Sequence, residues 1–511
     1  MKKNVLYIMQ ELRKAGYDAY AVGGCVRDRI MGRDVNDYDI CTSALPEEVK
    51  SVFKQHRIVD TGLQHGTVTL MLDDDGYEIT TFRTDGKYTD GRRPDNVHFV
   101  RNLKEDLQRR DFTMNAIAFD GDKYVDLYGG ADDIYRKTIR CVGDANIRFQ
   151  EDALRILRAM RFASQLGFSI EEETKVAMHN NKELIKNISE ERIAVELQKM
   201  LVGDGIYDVL HEFRDIVAII IPEFEKCFDF DQKNPWHTYD VYEHIIHSVQ
   251  NIEENRILRL AMLLHDIGKP DTFFVDENGV GHFYGHNKAS KKMAIQILKR
   301  LKFDNDTIQQ VALLVEYHDR EIVATKKSVR KLLSQIGEDA SFNLLKVKCA
   351  DNLAQNKEKV IEAKCLEHLN DVGLLLEEVL LNNDCTDKKG LAINGKDLAK
   401  IGIEPSPVYS EIFNTLLNKV MDDELENTYD DLIGYVQTHY VFKVEAELDL
   451  GGNGKQKISR VGRDLDELEK NIREEIQQIC YHAKRPRGFD IQVTLKLYQL
   501  DIEIDTIQYK Q

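Results

Sequence analysis

Along this chain the spacing of apolar residues changes character twice, and those two changes constrain the fold more than any other feature. From residue 1 to about 140, helical and strand patterns alternate. Val5, Ile8, Met9 and Leu12 recur at helical spacing, then come a short strand (Tyr20 to Val22), a glycine turn and a helix (Val26 to Met31). Further strands are expected around Tyr38, Val68 to Leu72, Tyr77 to Phe82 and Ala116 to Phe119. After Cys141 the strand signals stop, and helical periodicity runs almost to Tyr440, broken at Asp229 to Pro235 and at the glycine-rich turn Asp276 to Gly285. From there Val444, Ala446 and Leu448 alternate with charges, and Gly451 to Gly454 makes a turn. Leu465, Leu468, Ile472 and Ile476 mark a helix, and Ile491, Val493, Leu495 and Leu497 alternate once more. The pattern predicts an α+β chain: a mixed sheet with helices, a long all-helical body, and a small C-terminal α/β module.

A chain of 511 residues is too long for one ordinary core, so several domains are expected. No apolar run approaches a membrane span, and charges interrupt the start of the chain where a signal peptide would be apolar, which places the protein in the cytoplasm. The eight cysteines show no CxxC pairing and read as reduced thiols. A net charge of −18 argues against a protein that coats nucleic acid indiscriminately, while leaving room for a local basic track.

Two aspartates, Asp37 and Asp39, stand one residue apart in DVNDYDICTSA. On a strand they would share a face and repel, an arrangement eased by a divalent cation; carboxylate sites that keep waters suit Mg²⁺. Taken alone, such a pair reads as a solvated strand edge in an acidic protein. Its surroundings point to phosphate chemistry. Gly23-Gly24 ends a strand and Val26-Arg27-Asp28 opens a helix, offering N–H groups and a guanidinium to a polyphosphate. Glu78, in YEITTFRTDG, supplies a third carboxylate, and RRDFTMNA (Arg109 to Ala116) supplies paired arginines. Read as structure only, Arg109 and Arg110 are surface residues and Asp111 a helix cap.

GGxVRD, DxD and RRDFTxNA, in this order, resemble the nucleotidyltransferase head of class II CCA-adding enzymes and bacterial poly(A) polymerases. DLYGGADDI (Asp126 to Ile134), EDALRILRAMRFA (Glu151 to Ala163) and SEERIAVELQKML (Ser189 to Leu201) are similar to the family's later motifs. The resemblance implies two Mg²⁺ held by Asp37 and Asp39 with help from Glu78, and nucleotide contacts from Gly24, Arg27 and Arg110. It also implies that Asp152 and Arg155 form an amino-acid template for the incoming base, with Arg158 and Arg161 nearby; on spacing alone, Asp152, Arg155 and Arg158 are one face of a helix with an i,i+3 ion pair. Cytosine and adenine each set an amino donor beside a ring-nitrogen acceptor, so a carboxylate beside a guanidinium complements both. Uracil and guanine would leave buried polar groups unpaired, at about 1–3 kcal/mol each.

TGLQHGT (Thr61 to Thr67) is similar to tRNA nucleotidyltransferases, and the loop TDGKYTDGRRPDNVHFV (Thr84 to Val100) looks intact, as in enzymes that add the terminal A. The implied function is template-independent addition of CCA to tRNA from CTP and ATP. An A-adding enzyme, a poly(A) polymerase and a catalytically silent RNA-binding protein are the alternatives. Farther along, His244, His265-Asp266, His286, His318 and Asp351 follow the order of HD phosphohydrolase domains. That resemblance implies a divalent metal on His244, His265, Asp266 and Asp351, with His286 and His318 contributing to a second. Leu391 to Ile412 resembles the family's tail, although Val408-Tyr409-Ser410 replaces a small, glycine-containing turn. The expected divisions are a head (1–140), a helical neck with the base template (141–228), an HD domain (229–365), an RNA-binding helical tail (366–440) and a module of unassigned role (441–511), in a protein whose partners are tRNA, ATP and CTP.

Overall fold

The computed structural model describes residues 1–35, 37–85, 97–355, 362–401, 403, 405, 407–440, 442–449, 455–462, 465–483, 492–499 and 502–510. It divides into two compact units, Met1–Arg320 with Asn343–Cys365, and Glu321–Phe342 with Leu366–Gln511. Most of the loop 84–100 and the turn 451–454 lie outside the described residues.

The first unit opens with helix α1 (Lys3–Lys14), which buries Val5, Ile8, Met9 and Leu12, the stripe its periodicity demands. Then come β1 (Ala19–Val22), α2 (Gly24–Ile30), β2 (Asp39–Thr42), α3 (Pro46–Val52), β3 (Arg57–Gly62), β4 (Thr67–Leu72) and β5 (Asp75–Thr81). A small antiparallel pair, β6 (Arg83–Asp85) and β7 (Val97–Phe99), precedes α4 (Leu103–Gln108), β8 (Ile117–Phe119), β9 (Tyr124–Asp126) and α5 (Gly130–Tyr135). Seven strands form one sheet in the order β3-β4-β5-β2-β1-β8-β9. Within it β2 and β5 run parallel and the other pairs antiparallel, so the sheet is mixed, as expected. Val22, Ile40, Val68, Leu70, Ile79 and Ala118 are buried along its strands.

Two local expectations need correction. Asp37 lies outside β2, which begins at Asp39, so the aspartates do not alternate along one strand; Gly32 adopts a positive φ and the chain turns into the strand only after Asp37. Strand pairing also continues past Cys141, in β10 (Thr138–Ile139) with β11 (Ser169–Ile170) and in a later hairpin. Two-residue strands leave no alternation to read.

The motif DLYGGADDI turns out to be a wedge. Asp126 accepts from the N–H groups of Gly130 and Ala131, at 2.9 and 2.8 Å, and starts α5. Gly130 presses against Thr113 so closely that a Cβ would stand 2.1 Å from its carbonyl oxygen.

Helices follow: α6 (Ala145–Glu151), α7 (Leu154–Leu166), α8 (Glu172–Asn181), α9 (Glu190–Leu201), α10 (Ile206–Glu212) and α11 (Arg214–Ile220). Asp152 closes α6 in extended conformation rather than joining α7, so it does not share a helix face with Arg155 and Arg158. Next are α12 (Val241–Asn251) and α13 (Arg256–Leu264), started by Asp240 and Asn255 side chains that accept from their first turns. They lead to α14 (Lys269–Thr272), the hairpin β12 (Phe274–Val275) and β13 (Gly281–His282), α15 (His286–Arg300) and α16 (Asn305–Tyr317). The chain leaves this unit for α17 (Lys326–Ile336) and returns in the later part of α18 (Glu338–Leu353), which carries Asp351.

The second unit continues with α19 (Glu362–Leu381), and then α20 (Gly395–Lys400), α21 (Val408–Met421) and α22 (Tyr429–His439) around a core of Leu398, Ile412, Leu416, Leu432 and Val436. Val408-Tyr409-Ser410 opens α21, where Val408 is buried and the Tyr409 hydroxyl donates to the Ile403 carbonyl at 2.6 Å. The C-terminal module is an antiparallel sheet of β14 (Phe442–Asp449), β15 (Lys455–Gly462), β16 (Gln492–Gln499) and β17 (Ile502–Lys510), in the order β15-β14-β16-β17, with α23 (Leu465–Ala483) against it. Sequence reading found β14, α23 and β16. The charge-rich β15 and β17 escaped it, since their pairing with neighbours is what holds them.

Gly130→Ala is expected to lower stability by about 3 kcal/mol or more, because the new methyl meets backbone that cannot yield. The midpoint of urea unfolding measures it.

Candidate active site and a histidine-rich centre

The parallel pairing of β2 with β5 sets Asp39 directly opposite Glu78. Both carboxylates face solvent on the open side of the sheet, as does Asp37. Burial by surrounding groups raises the pKa of Asp39, Arg110 opposes the rise, and Asp37 adds to it. Partial burial raises Glu78 as well, followed by repulsion from Asp39 and Asp37. Three mutually repelling, solvent-exposed carboxylates are the donor set a hard cation stabilises. Among the described residues, groups of three or more possible ligand atoms within 4.8 Å of one another occur in the helical body and not in this head.

Beside the acids, Gly23 ends β1 with φ 77° and ψ −138°, and its bare Cα lets a guanidinium approach: a Cβ there would lie 3.2 Å from Arg110 Nη1 and 3.6 Å from Asp39 Oδ2. Gly24 is the less confined of the pair, with only Arg27 Nη2 at 3.7 Å from such a Cβ. Arg110 is anchored from behind by Asp106, which is fully buried on α4 and also pairs with Arg109 at 2.8 Å. Burial disfavours the Arg110 charge, yet Asp106, with Asp39 among the other contributors, raises its pKa overall. Its Nε is buried without a hydrogen-bond partner. Sequence reading passed over Asp106, although its spacing of three and four residues before the arginines on α4 is a legible signal.

Arg27 is buried and donates to Asn115 Oδ1 at 2.9 Å while pairing with Asp28. Asn115 in turn donates to Asp111, which accepts two N–H groups of Arg158, at 2.9 and 2.6 Å, and the Phe112 amide at 2.8 Å. Burial works against the Asp111 charge, but Arg158 and these donors hold its pKa at about 2. Asp111 is thus a hub joining Asn115 and, through it, Arg27 of α2 to Arg158 of α7, not a helix cap. Around the Phe162 ring stand three guanidiniums, of Arg161 at 4.2 Å, Arg27 at 5.1 Å and Arg158 at 5.3 Å from its centroid. Arg161 also pairs with buried Glu196 of α9 at 3.1 Å.

The two residues expected to read the base are held separately. Asp152 accepts from the Leu154 amide and from Arg192 of α9, both at 3.0 Å. Arg155 donates to Glu151 at 2.7 Å and to the carbonyls of Arg148 and Arg109. The i,i+3 ion pair suggested by spacing is therefore replaced by two other pairs, and Arg192 is a partner that sequence spacing could not indicate.

In the helical body, four imidazoles converge. His244 and His265 bring their Nε2 atoms within 3.2 Å of each other, and His286 and His318 within 3.1 Å. Each Nδ1 lies against a backbone carbonyl, of Ala354, Met262, Phe283 and Val315 respectively. If Nδ1 carries the proton, as these carbonyls require, all four Nε2 lone pairs point inward. Asp266 lies between the pairs: Oδ2 is 3.2 and 3.3 Å from His244 and His265, and Oδ1 is 3.3 and 3.4 Å from His286 and His318. Asp351 completes the first group, 3.0 Å from His244 and 3.6 Å from His265. The six residues make two possible metal-holding groups sharing Asp266. Burial opposes charge on His265, but Asp266 and Asp351 raise its pKa to about 10, so the acids demand a cation at this point. Two further residues border the centre: Lys269, 2.6 Å from Asp266, and His237, whose ring centroid is 5.3 Å from that of His244 and whose pKa burial lowers to about 3.

Three family models match the chain. Residues 19–140 match the poly A polymerase head domain, 167–227 a probable RNA and SrmB-binding site of polymerase A, and 283–436 a putative tRNA nucleotidyltransferase domain 2. The last covers His286, His318 and Asp351 but begins after His244 and Asp266. The chain is similar to CCA-adding enzymes of Pediococcus pentosaceus (35% identical over 426 residues, 82% of this chain and 93% of that protein) and Lactobacillus delbrueckii subsp. bulgaricus (37% over 427 residues, 82% and 94%). Among solved structures, the Bacillus stearothermophilus CCA-adding enzyme in complex with CTP is 29% identical, with TM-score 0.65, over 86% of this chain and 98% of that one. The Thermotoga maritima CCA-adding enzyme, solved with tRNA, shares the fold at 20% identity and TM-score 0.55, over 85% and 94%.

Asp111→Asn is expected to cost on the order of 3 kcal/mol, because it leaves Arg158 buried with a weakened partner. Asp111 has a folded pKa below its unfolded one, so its contribution is present above about pH 4 and is lost as pH falls toward about 2. The parent should lose stability across that window more steeply than the variant, as read by urea unfolding at several pH values.

Proposed function

Because the chain belongs to the CCA-adding enzymes, we propose that the head and neck residues above carry out the family's reaction in named roles. The protein is a nucleotidyltransferase that adds CMP, CMP and AMP, from CTP and ATP, to the 3′ end of tRNA without a nucleic-acid template. The reading of its site rests on one observation: Asp39 and Glu78 are in register across parallel strands, and Arg110 approaches Asp39 through the gap that Gly23 leaves.

The family's chemistry implies a divalent metal, in our reading Mg²⁺, which stabilises charge on the reacting phosphate and eases deprotonation of the attacking RNA 3′-hydroxyl. Asp37 and Asp39 hold it with help from Glu78, and the raised pKa values of Asp39 and Glu78 fit carboxylates that gain from a cation. Arg110 and Arg27, with the backbone at Gly23 and Gly24, take the triphosphate. Asp152 accepts from the amino group of cytosine or adenine and Arg155 donates to the ring nitrogen, with Arg158 and Arg161 fixing the helix behind them. Domain limits follow the same reading: head 1–140, neck 141–228, HD-type domain 229–365, tail 366–440, and the module 441–511.

A second activity is favoured by a specific observation, the sharing of Asp266 by two imidazole pairs with Nδ1 atoms satisfied by carbonyls. His244, His265, Asp266 and Asp351 would hold one divalent metal and His286 and His318, with Asp266, another. Such a centre suits hydrolysis of a phosphate ester, water being activated by the bound cations.

Incubating a tRNA that lacks its 3′ end with labelled CTP and ATP, separately and together, should yield addition of C, C and A. Poly(A) tails on unrelated RNA without CMP incorporation would overturn the reading, and AMP incorporation only on tRNA already ending in CC would make the protein an A-adding enzyme. Asp37→Ala and Asp39→Ala should each lower kcat by at least about a thousandfold while tRNA binding stays within about twofold. In the neck, Asp152→Ala should raise kcat/KM for UTP relative to CTP by about tenfold; an unchanged ratio would assign base selection to other residues. His265→Ala combined with Asp266→Ala should abolish metal uptake by the helical body, measured by elemental analysis after Mn²⁺ loading, and spare CCA addition.

A further inference from the structure

Next to the histidine centre, the hairpin of β12 and β13 carries three aromatic rings on its outer side. Phe274 and His282 are directly opposite one another across the pair. Their rings lie 5.2 Å apart and 26° from parallel, and the Tyr284 ring lies 5.5 Å from both, at 15° to His282 and 40° to Phe274. This stack is solvent-exposed: Phe274 by 44% and Tyr284 by 76%, with Val275 beside them at 41%. The exposed faces of Phe274 and Tyr284 are costly to keep in water unless something covers them.

The platform is held rigidly. Asp276 ties the hairpin tip by accepting from the amides of Asn278 and Val280 at 2.9 Å, and its other oxygen fixes His282 Nε2 at 2.9 Å. Gly285 then takes a left-handed turn with φ 80°. Phe283 is buried beneath, 5.3 Å from Phe273 and 5.2 Å from the Lys269 ammonium, while Tyr284 stays outside and His286 enters the metal-holding group. Past the turn, Lys288 and Lys292 stand one helical turn apart on α15, both exposed and with no ion-pair partner among the described residues. Of the acids on the hairpin and the helix that follows, Asp276 is taken by His282 and Glu316 by Lys291, while Glu277 at the hairpin tip is exposed. In a chain of net charge −18, these two lysines supply positive charge four and eight residues after Tyr284.

We propose that Phe274, His282 and Tyr284, with Lys288 and Lys292, form a binding surface for single-stranded RNA, the rings stacking unpaired bases and the lysines meeting phosphates. Every base has a π-face, so such a surface tolerates any sequence but requires unpaired nucleotides. It is separate from the head and neck, and it leads toward the Asp266 centre, because Tyr284 is two residues from His286. The inference stands whether or not that centre holds metal.

The test is binding of a fluorescein-labelled twelve-nucleotide single-stranded RNA, and of the same RNA as a duplex, to the full chain by anisotropy across a range of salt. Saturating unlabelled tRNA is added to occupy the site of CCA addition. Tyr284→Ala and Phe274→Ala should each weaken single-strand binding by about tenfold or more, and Tyr284→Trp should restore it. Lys288→Gln with Lys292→Gln should reduce the slope of log K against log salt by about 1.4, the value for two phosphate contacts on a single strand. CCA addition should be unchanged in all of these, which also certifies that each variant is folded. The proposal is overturned if the alanine variants bind the single strand as the parent does, if the duplex binds equally well, or if the parent binds no RNA under tRNA saturation, the last outcome leaving the patch to a protein partner.

Discussion

Two carboxylates in register on adjacent parallel strands repel each other, and the first unit is arranged around keeping Asp39 and Glu78 in that position. The central strands are apolar on their buried side, so the sheet cannot relieve the repulsion by slipping: a shift of one residue would turn Ile40 and Ile79 out to water. Positive charge has to be brought to the acids instead. Arg110 comes in through the space left by Gly23, and Asp106 behind it keeps the guanidinium charged in a site that would otherwise disfavour it.

The same logic carries the charge network from head to neck. Arg27, Asn115, Asp111 and Arg158 form one connected chain of hydrogen bonds, and Phe162 fills the space among three guanidiniums that would otherwise repel across it. An aromatic face is suited to this, since its negative quadrupole meets each cation while its edges pack against Phe112. Linking Arg27, through Asn115, and Arg158 of α7 to one carboxylate couples their positions, so that a displacement of α7 must be felt at Arg27. Asp152 and Arg155 are each restrained by a partner other than one another, Arg192 and Glu151, which limits the rotamers open to both.

The helical body repeats the theme with the signs reversed in origin. There Asp266 is fully enclosed by imidazoles and Lys269, and backbone carbonyls at Met262, Phe283 and Val315, each three residues before its histidine, set the ring orientations. The i,i−3 spacing makes the orientation a property of local chain geometry at the helix ends. The hairpin between α14 and α15 then places apolar rings outside and His286 inside within five residues, through the single left-handed turn at Gly285.

How far the sequence sufficed can be judged residue by residue. Alternating and helical periods decided the mixed head, the helical body and the C-terminal module, because burial of one face fixes the period of each element whatever its neighbours are. Motif order decided the family, since the residue types at GGCVRD, DYD, RRDFTMNA and EDALR are a chemical inventory that survives without coordinates. Histidine and aspartate order decided which five residues meet around Asp266. The tertiary structure alone decided that Asp37 stands outside the strand and Asp152 outside the helix, that Asp111 is a junction and Asp106 an anchor, and that β15 and β17 exist. Each of these depends on a partner far along the chain, whose distance in sequence carries no trace of its distance in space.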